Sequence, residues 1–531
     1  MRALLLSMPD SFEHTPALAM RMPNGALASL AGNVGPAHQA FVADLILAQR
    51  SVAATVERLM RTCRPDVVGL SVMTFQRQTA LRLVAAIRGM KPDVTIVAGG
   101  YDPSLATEQY EPPSTGVDFV VRGEGEHTFR ALLDALAARQ SVAGIPGLAF
   151  RATPGAGFTI TPPRPVAPLE DGGLALPQRG ARLLSGYTFL GRPIDIVETS
   201  RGCTYDCSFC SIIEMRGRNF HTFDFTRVLA DIADARAHGA RAIFLVDDNI
   251  TLNVARFEAL CRAIVDAGLH EDMHYIVQAM TSSIAAHGET LAPLMRQANF
   301  RYVFLGIENV LDEDLAFLRA SAKNAQREQG RRVGNATLAA IDALHRHGLF
   351  VVGGIIVGNP DDTRAAIDAN LAFARRYVDW PYIQHPTPYP GTPMTADFRA
   401  RGLIVNERVE EYDGTTAVVR TAHLEADEVE FIRWRAERWL KVRHMPGVLR
   451  WYPRFVLRHA GRMLAHTFRG SSWRSVMGLE SDRDVFRRYK ALRAREREYL
   501  SDAPVARRAD GGGHEGHQDH QEHQGRHVQF S

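Results

Sequence analysis

Cysteine is scarce in this sequence, with five residues in 531, which is too few for a disulfide framework. Long apolar runs are also missing. No stretch approaches about eighteen uninterrupted apolar residues, and the run within the first ten residues is too short for a signal-peptide core. Excess charge is absent too, because 62 basic and 59 acidic residues leave a net charge of +3 and hence no global attraction to nucleic acid. We therefore expect a cytoplasmic, globular protein of about two to four domains.

Residues 1–150 alternate short β-branched runs with helical stretches, the pattern of a parallel sheet with crossover helices. Three runs are clear: Val67–Val72, Val94–Ala98 and Phe119–Val121. Ligands of an open α/β sheet bind beyond the carboxyl ends of its strands. The turns there supply seven candidate ligand contacts: Ser71, Thr74, Gly99, Gly100, Tyr101, Gly123 and Glu124. The alternative for each glycine pair is that it only turns the chain.

A second α/β series is predicted over residues 191–400, after a Pro-, Gly- and Arg-rich segment (151–190) that predicts a linker. Six runs are candidate strands: Ile194–Thr199, Ala242–Val246, Tyr275–Ala279, Tyr302–Ile307, Phe350–Val357 and Tyr382–His385. Successive βα units predict a partial (β/α)6 barrel with its active site at the carboxyl ends of the strands. Three residues at the last run, Tyr382, His385 and Tyr389, are candidate substrate contacts, although the neighbouring prolines equally indicate a structural turn.

The carboxyl-terminal part changes character again. Residues 401–500 are predicted to be mainly helical, and within them Phe431–Arg474 is rich in arginine and tryptophan, with Glu437 as its only acid. Such a segment suits an anionic membrane surface or an amphiphilic substrate. The alternative is a solvated helix face folded against the barrel. Residues 501–531 are polar and rich in histidine, which predicts a disordered tail.

Three of the five cysteines, Cys203, Cys207 and Cys210, stand within eight positions directly after the first predicted barrel strand. A structural zinc site normally uses four protein ligands, but no fourth cysteine follows nearby. An iron–sulfur cluster on three cysteines would keep one iron open for another ligand. An incidental metal-binding knuckle is the alternative. Cys63 and Cys261 lie on apolar helical patterns and are predicted to be buried.

The C-x3-C-x2-C spacing, with Phe209 before the last cysteine, resembles the signature of the radical S-adenosylmethionine (SAM) superfamily. The resemblance implies that the three cysteines hold a [4Fe-4S] cluster and that the open iron binds the amino and carboxylate groups of SAM. It also implies an external low-potential electron donor of the flavodoxin or ferredoxin type. Its electron would cleave SAM to a 5′-deoxyadenosyl radical.

Further SAM contacts are predicted on the barrel strands. Residues 354–361 resemble the family's G-x-I-x-G-x-x-E element, with Asp361 in place of the glutamate, and the resemblance implies SAM contacts at Gly354, Ile356 and Gly358. Glu308 and Asp247 end the fourth and second predicted strands and are also candidate SAM contacts, as is Phe209. A helix cap or a solvated loop acid is the alternative for each carboxylate.

The order of a doubly wound domain followed by the cysteine loop resembles the cobalamin-binding class of radical SAM enzymes over about residues 1–400. That class includes methyltransferases and ring-forming enzymes of tetrapyrrole metabolism. The resemblance implies cobalamin at the seven turn residues named above, although the D-x-H-x-x-G motif of many cobalamin proteins is missing from this sequence. Two explanations account for that departure: cobalamin binds without a histidine ligand, or the domain has lost the cofactor.

The resemblance thus predicts cobalamin-dependent methyl transfer to an unactivated carbon of a small-molecule or lipid-like substrate. A radical SAM rearrangement or ring closure without cobalamin is the alternative within enzymes. A non-catalytic sensor of iron, oxygen or cobalamin is the alternative outside them. Peripheral membrane contact is a further expectation from the basic helical segment, and no nucleic-acid module is expected.

Overall fold

The structure is a computed structural model that describes residues 1–12, 19–153, 155–166, 168–170, 173–328, 331–496 and 498–500. The tail predicted over residues 501–531 lies outside the described residues. No helix within the described ranges combines the length and the apolar character needed to cross a membrane.

The amino-terminal unit is a sheet covered by helices on both faces. Its strands are β1 (Arg2–Ser7), β3 (Gln39–Asp44), β4 (Val67–Ser71), β5 (Thr95–Gly99), β6 (Phe119–Val121), β7 (Leu148–Arg151) and β8 (Phe158–Ile160), while β2 (Met20–Arg21) pairs elsewhere. Its helices are α1 (Gly25–Asn33), α2 (Val52–Cys63), α3 (Arg77–Met90), α4 (Tyr101–Leu105) and α5 (Glu126–Ala138).

The strand order of this sheet is β3-β1-β4-β5-β6-β7-β8, with the first five strands parallel and the last two antiparallel. The predicted doubly wound fold is confirmed. Because the order reverses direction at β1, the carboxyl ends of β1 and β4 flank the crevice where such sheets bind ligands. Helix α2 buries Val56, Leu59 and Cys63 at helical spacing, as predicted for Cys63.

The second sheet is a half-barrel. Its strands are β9 (Thr188–Phe189), β10 (Arg192–Val197), β13 (Ala242–Leu245), β14 (His274–Met280), β15 (Phe300–Glu308), β18 (Phe350–Ile356) and β19 (Trp380–Gln384). Two small hairpins stand apart, β11 (Ser200–Arg201) with β12 (His221–Thr222), and β16 (Ala325–Glu328) with β17 (Arg331–Asn335). The helices are α6 (Ile212–Arg216), α7 (Phe225–Ala237), α8 (Val254–Asp266), α9 (Thr281–Gln297), α10 (Asp312–Phe317), α11 (Thr337–Arg346), α12 (Arg364–Tyr377) and α13 (Pro393–Ala400).

All six predicted barrel strands form in chain order, as β10-β13-β14-β15-β18-β19, and every neighbouring pair is parallel. Consecutive parallel strands with crossover helices place every strand's carboxyl end at the same edge of the sheet. The antiparallel pair β9 and β2 extends the sheet beyond β10. Since β2 lies in the sequence between β1 and β3 of the amino-terminal sheet, that unit contributes a strand to this edge of the second sheet.

Residues 151–190, predicted as a linker, contribute β8 to the first sheet and β9 to the second. The segment also buries Arg179, whose guanidinium donates to Asp195 (2.9 Å), Asp231 (2.6 Å) and Asp234 (2.8 Å). A buried arginine requires such partners because an unpaired buried charge is strongly destabilising. The segment is therefore anchored to the barrel, and its boundaries stay a prediction.

The carboxyl-terminal helices are α14 (Ala426–Trp451), α15 (Pro453–Thr467), α16 (Trp473–Val476) and α17 (Asp482–Glu496). Helix α14 runs along the barrel: Arg433 binds His385 at the end of β19, while Val448 packs at the opposite end of the strands. There Tyr452 stacks on Tyr302 with ring centroids 6.1 Å apart. The amino-terminal end of the barrel interior is thus filled, and its carboxyl-terminal end stays open.

Candidate active site

The cysteine loop lies between β11 and α6, at the carboxyl edge of the half-barrel. Gly202 starts the loop with φ +92°, and a Cβ there would stand 2.4 Å from the carbonyl oxygen of Asn219, so only glycine fits. Ser208 ties the loop to the barrel, since its backbone N–H donates to the Leu318 carbonyl at 3.0 Å. Cys207 is buried, and Cys203 and Cys210 are half-buried.

All three cysteines line one cavity of about 240 Å³ at the open end of the barrel, called here the cysteine cavity. Its wall combines ionic, amide and apolar groups, together with glycines: Phe209, Gln278, Gly306, Glu308, Lys323, Gly354, Ile356 and Gln384. Of the residues predicted to bind SAM, Phe209, Glu308, Gly354 and Ile356 therefore lie together. Asp247 and Gly358 do not line the cavity.

Glu308 and Lys323 form an ion pair of 3.0 Å inside this cavity. Glu308 has φ +58° beside an irregularity in the β15–β18 register. For a residue other than glycine this conformation costs on the order of 1 kcal/mol, and strain of this kind clusters at functional sites. Burial lowers the pKa of Lys323, but Glu308 and the neighbouring thiols outweigh that effect and raise it above its ordinary value. The side chain is therefore a fixed cation next to the cysteines.

Asp247 instead holds the chain before the cysteine loop. Its carboxylate accepts from the Thr199 backbone N–H (2.6 Å), the Thr199 hydroxyl (2.5 Å) and the Ser200 hydroxyl (2.6 Å). Burial raises its pKa to about 6 despite these donors. Its neighbour Asp248 lines the cavity and accepts from the Gly202 N–H at 2.7 Å.

Gly358 lies under helix α14, where a Cβ would stand 2.8 Å from Cγ1 of Val429, and its φ is +96°. The backbone N–H groups of Gly358 and Asn359 donate to the buried carboxylate of Asp362, at 2.7 and 2.9 Å. Asp361, which replaces the glutamate of the family element, is exposed and pairs with Arg401. This part of the element therefore shapes the turn after β18.

The thiols suit an iron–sulfur cluster by their donor chemistry. Within the described ranges, no three His, Cys, Asp or Glu side chains converge on a single metal ion. A cubane cluster makes no such demand, because each thiolate binds a different iron. Burial raises the pKa of Cys207 to about 12 and that of Cys210 to about 11, so cluster binding must displace protons from both thiols.

A second cavity, called here the glycine cleft, lies at the carboxyl edge of the amino-terminal sheet and measures about 250 Å³. Six of the seven turn residues predicted to contact cobalamin line it: Ser71, Gly99, Gly100, Tyr101, Gly123 and Glu124. Thr74 does not, because the chain turns after β4 into a buried 3₁₀ helix. The cleft continues between the sheet and its helices, past Leu5, Gly69 and Phe129. This depth and the bare glycine backbone would allow a large cofactor to approach the sheet edge closely.

An ion-paired joint connects the two cavities. Arg201, two residues before Cys203, is buried and donates at 2.7 Å both to Glu126 of α5 and to Glu198. Burial raises the pKa of Glu126, but the arginine outweighs it and lowers that pKa to about 2. Arg216, after the cysteine loop, lies 3.3 Å from Asp248 and 3.9 Å from Glu124. The cysteine loop is thus bracketed by two arginines that face the wall of the glycine cleft.

Comparison with known proteins assigns a family to each half of this arrangement. The model of the B12-binding domain matches residues 21–133, and the model of the radical SAM superfamily matches residues 197–374. The chain is a B12-binding radical SAM enzyme. Its cofactors are a [4Fe-4S] cluster, SAM and cobalamin.

Relatives of this radical SAM enzyme include both methyltransferases and a cyclase. An uncharacterized methyltransferase of Pyrococcus horikoshii is 26% identical over 88% of this chain and 98% of its own length. The anaerobic magnesium-protoporphyrin IX monomethyl ester cyclase of Rubrivivax gelatinosus is 26% identical over 73% of this chain and 69% of its own. TsrM of Kitasatospora setae, a radical SAM methyltransferase solved with cobalamin and a [4Fe-4S] cluster, matches with a TM-score of 0.60. The two sequences are 20% identical, and the match covers 76% of this chain and 79% of the TsrM chain. The two proteins share the fold.

Sequence reasoning did not assign roles to Lys323, Gln278, Gln384 or the two bracketing arginines of this radical SAM enzyme. Gln278 and Gln384 lie on predicted strands. Because side chains alternate between the two faces of a strand, the sequence could have predicted that both point into the barrel. Lys323 lies in a connection after α10, where no pattern indicates which way a side chain points. His385, Tyr382 and Tyr389 were candidate substrate contacts. Tyr389 is partly buried and packs against the apolar cluster that contains Met394 and Phe398. His385 is buried between the Val357 carbonyl (3.1 Å) and Arg433 (3.1 Å), and Tyr382 packs edge-on against Phe304.

Proposed function

We propose that this enzyme transfers a methyl group to an unactivated carbon of a small-molecule substrate in a cobalamin-dependent reaction. The observation that carries the proposal is the joint: the wall of the glycine cleft and the cysteine loop meet through Arg201 and Arg216. Two cofactor sites in direct contact suit a reaction in which both act on one substrate atom. A relative that matches 88% of the chain is named a methyltransferase, which supports the same chemistry.

We propose Cys203, Cys207 and Cys210 as the cluster ligands, and the wall of the cysteine cavity as the SAM site. The wall offers a carboxylate at Glu308, an ammonium at Lys323 and amides at Gln278 and Gln384. These groups complement the charged amino-acid end and the hydroxyls of SAM. When bound, the cluster and SAM supply a radical that removes a hydrogen atom, and cobalamin supplies the methyl group.

Phe209, Gly354 and Ile356 give this site its apolar and backbone surface, which suits a flat ring such as adenine. Asp247 and Gly358 act one step further away, by shaping the loops on either side. For cobalamin we propose contacts at Ser71, Gly99, Gly100, Tyr101, Gly123 and Glu124, with Thr74 holding the turn behind them.

The chain's own residues also control access to the site. Tyr302, Tyr452 and Phe455 fill the amino-terminal end of the barrel, so substrate does not enter through that end. Because a radical reaction is easily diverted by solvent, one closed end suits the proposed chemistry. We further propose an electron donor of the flavodoxin or ferredoxin type and a cytoplasmic location, which suits five free cysteines.

The proposal is tested by product analysis of anaerobically reconstituted protein with SAM, a low-potential reductant and a panel of small-molecule substrates. A cobalamin-dependent methyltransferase forms both 5′-deoxyadenosine and S-adenosylhomocysteine, because one SAM gives the radical and another gives the methyl group. We expect S-adenosylhomocysteine only when hydroxocobalamin is added.

Two other outcomes would reject methyl transfer. Deoxyadenosine without S-adenosylhomocysteine, at any cobalamin concentration, would indicate a rearrangement or ring closure like that of the cyclase relative. A fully loaded cluster that forms neither product would indicate a sensor. The Gly89→Ala variant serves as the control, since Gly89 has open space around it on α3, and both products should persist.

A further inference from the structure

Large apolar side chains are exposed very unevenly along this chain. Among the described residues, nine of the fifteen large exposed apolar side chains fall between residues 439 and 492, and the other six are spread over residues 1–438. Isolated exposed leucines are normal on a protein surface, whereas a concentration of them marks an interaction site. The concentration centres on α15 and the turn that follows it.

Helix α15 has two apolar faces. Phe455 and Val456 are buried and pack with Tyr302 and Ile194 at the closed end of the barrel. Leu457 is 76% exposed, Leu464 52% and Phe468, just after the helix, 39%. At about 100° per residue these three lie within roughly 40° of one another, on the side away from Phe455. The barrel therefore accounts for one apolar face of α15, and the other lies open.

A row of arginines flanks that open face. Arg454, Arg458 and Arg462 follow at intervals of four, so they lie on one side of the Leu457–Phe468 stripe. All three are exposed, and none forms an ion pair with a described residue. The sequence from 438 to 479 contains nine lysines and arginines and no aspartate or glutamate. Bulky side chains on α16 and beside it, Trp473 and Met477, are also about 70% exposed.

We propose that α15 and the α15–α16 turn form a docking surface for the anionic face of a lipid bilayer. An amphipathic helix with an apolar stripe beside a basic row lies in the plane of the membrane interface, with the stripe among the upper acyl chains. Arginines beside it contact anionic headgroups, each adding to the attraction. A second copy of this chain fits the surface less well, because two acid-free basic segments repel each other.

The docking surface lies at the opposite end of the barrel from the cysteine cavity. Phe455 packs 3.1 Å from the position of a Cβ on Gly191, just before β10 begins, whereas the cysteines follow the end of that strand. Attachment therefore keeps the cavity and the glycine cleft turned toward solvent. The proposal is independent of the substrate and of methyl transfer, and it places no lipid in the active site.

The test uses the full chain with vesicles of phosphatidylcholine alone and vesicles containing about one quarter phosphatidylglycerol. We expect co-sedimentation with the anionic vesicles at low salt, release at about 0.5 M salt, and no binding to the neutral vesicles. The variant Arg454→Gln, Arg458→Gln, Arg462→Gln should lower the partition coefficient at least about tenfold. The variant Leu457→Ser, Leu464→Ser should lower it by a similar factor.

A matched control removes three exposed arginines elsewhere, in Arg58→Gln, Arg61→Gln, Arg82→Gln, with the same change of net charge. It should bind as the unmodified chain does. Equal loss in this control would overturn the proposal, because the binding would then reflect overall charge. So would wild-type protein that stays in the supernatant, or dimers in sedimentation velocity that separate in the leucine variant. The visible absorbance of the reconstituted cluster confirms in each variant that the barrel is folded.

Discussion

The cysteine cavity and the glycine cleft meet at one joint but are built in opposite ways. The cavity is defined by side chains that are present: three thiols, the Glu308–Lys323 pair and two amides. The cleft is defined largely by side chains that are missing, at Gly69, Gly99, Gly100 and Gly123. A site of the first kind is destroyed by truncating a side chain, and a site of the second kind by adding one. Variants at each site should therefore separate the two cofactors.

The largest effect is expected from Cys203→Ala, Cys207→Ala, Cys210→Ala. Removing all three thiolates leaves the cavity without ligands for iron, so iron content and deoxyadenosine formation should fall to background. Cobalamin binding, measured by absorbance after gel filtration, should be retained.

The control for this variant is Cys261→Ala, which removes a thiol buried in α8 and 0% exposed. It should cost on the order of 1 kcal/mol of stability and keep its full iron content. A triple variant that still loads iron as the wild type does would contradict the proposed ligands.

The opposite outcome, a loss of cobalamin binding with the cluster kept, is expected from Gly99→Leu at the end of β5. A Cβ at Gly99 meets only ordinary contacts, the nearest at 3.6 Å from the Val121 carbonyl oxygen, so the backbone tolerates it. Because Gly99 lines the glycine cleft, we expect the longer side chain to take up space in it. We expect cobalamin affinity to fall about tenfold or more, while iron content stays unchanged.

Gly99→Ala is the graded control, since its single methyl group fits and should reduce affinity far less. Unchanged cobalamin binding in Gly99→Leu would show that the cofactor does not lie on this strand end. Loss of iron in the same variant would mean that the two sites are not separable.

An intermediate effect is expected at the joint, from Arg201→Gln. Removing one partner of a buried ion pair leaves Glu126 as an uncompensated charge, which costs roughly 3 kcal/mol. The pKa of Glu126 is lowered to about 2 in the folded protein, so its pairing stabilises the fold above the unfolded pKa of about 4.5. That stability is lost as pH falls from there toward 2. Urea midpoints of variant and wild type should therefore differ at pH 7, and the difference should shrink as pH falls from about 4.5 toward 2.

Arg218→Gln tests whether any arginine near the cysteine loop has this effect. Arg218 pairs with Asp206, and both side chains are 54% exposed, so its loss should cost about 0–1 kcal/mol. Similar losses in both variants would contradict a special role for the joint.

The fold could be predicted from the sequence because its elements are local and strongly patterned. Six β-branched runs, each followed by a helical stretch, fix the half-barrel and its order, and the cysteine spacing fixes which loop faces the open end. The cleft followed from glycines at strand ends, apart from Thr74, whose turn continues into a buried helix. Long-range pairs were out of reach. Nothing in the spacing of Arg201 and Glu126, or of Glu308 and Lys323, indicates that they meet.

The two SAM candidates that do not line the cavity lie elsewhere for a related physical reason. Asp247 ends a strand as predicted, but three nearby donors take its carboxylate. Gly358 belongs to the right element, but helix α14 covers it from more than 60 residues away in the sequence. A position at a strand end predicts proximity to the active site, and only the packing of distant elements decides which side chain enters it.

The smallest effect is expected from Asp314→Asn, behind the cysteine cavity and outside both sites. Burial and the adjacent Asp362 raise the pKa of Asp314 well above its ordinary value, so the folded protein retains a proton that the unfolded chain releases near pH 4. Stability contributed by this proton is present at low pH and lost as pH rises through the folded pKa. Asparagine removes the penalty and should stabilise the protein by roughly 1–2 kcal/mol at pH 8, with little gain at pH 4. Urea midpoints at both pH values measure this, with Asp361→Asn as the exposed control. Asp362, the neighbour of Asp314, holds the turn after β18. If the variant keeps the iron content of the wild type, the substitution changes the stability of the fold and leaves cluster binding in the cysteine cavity intact.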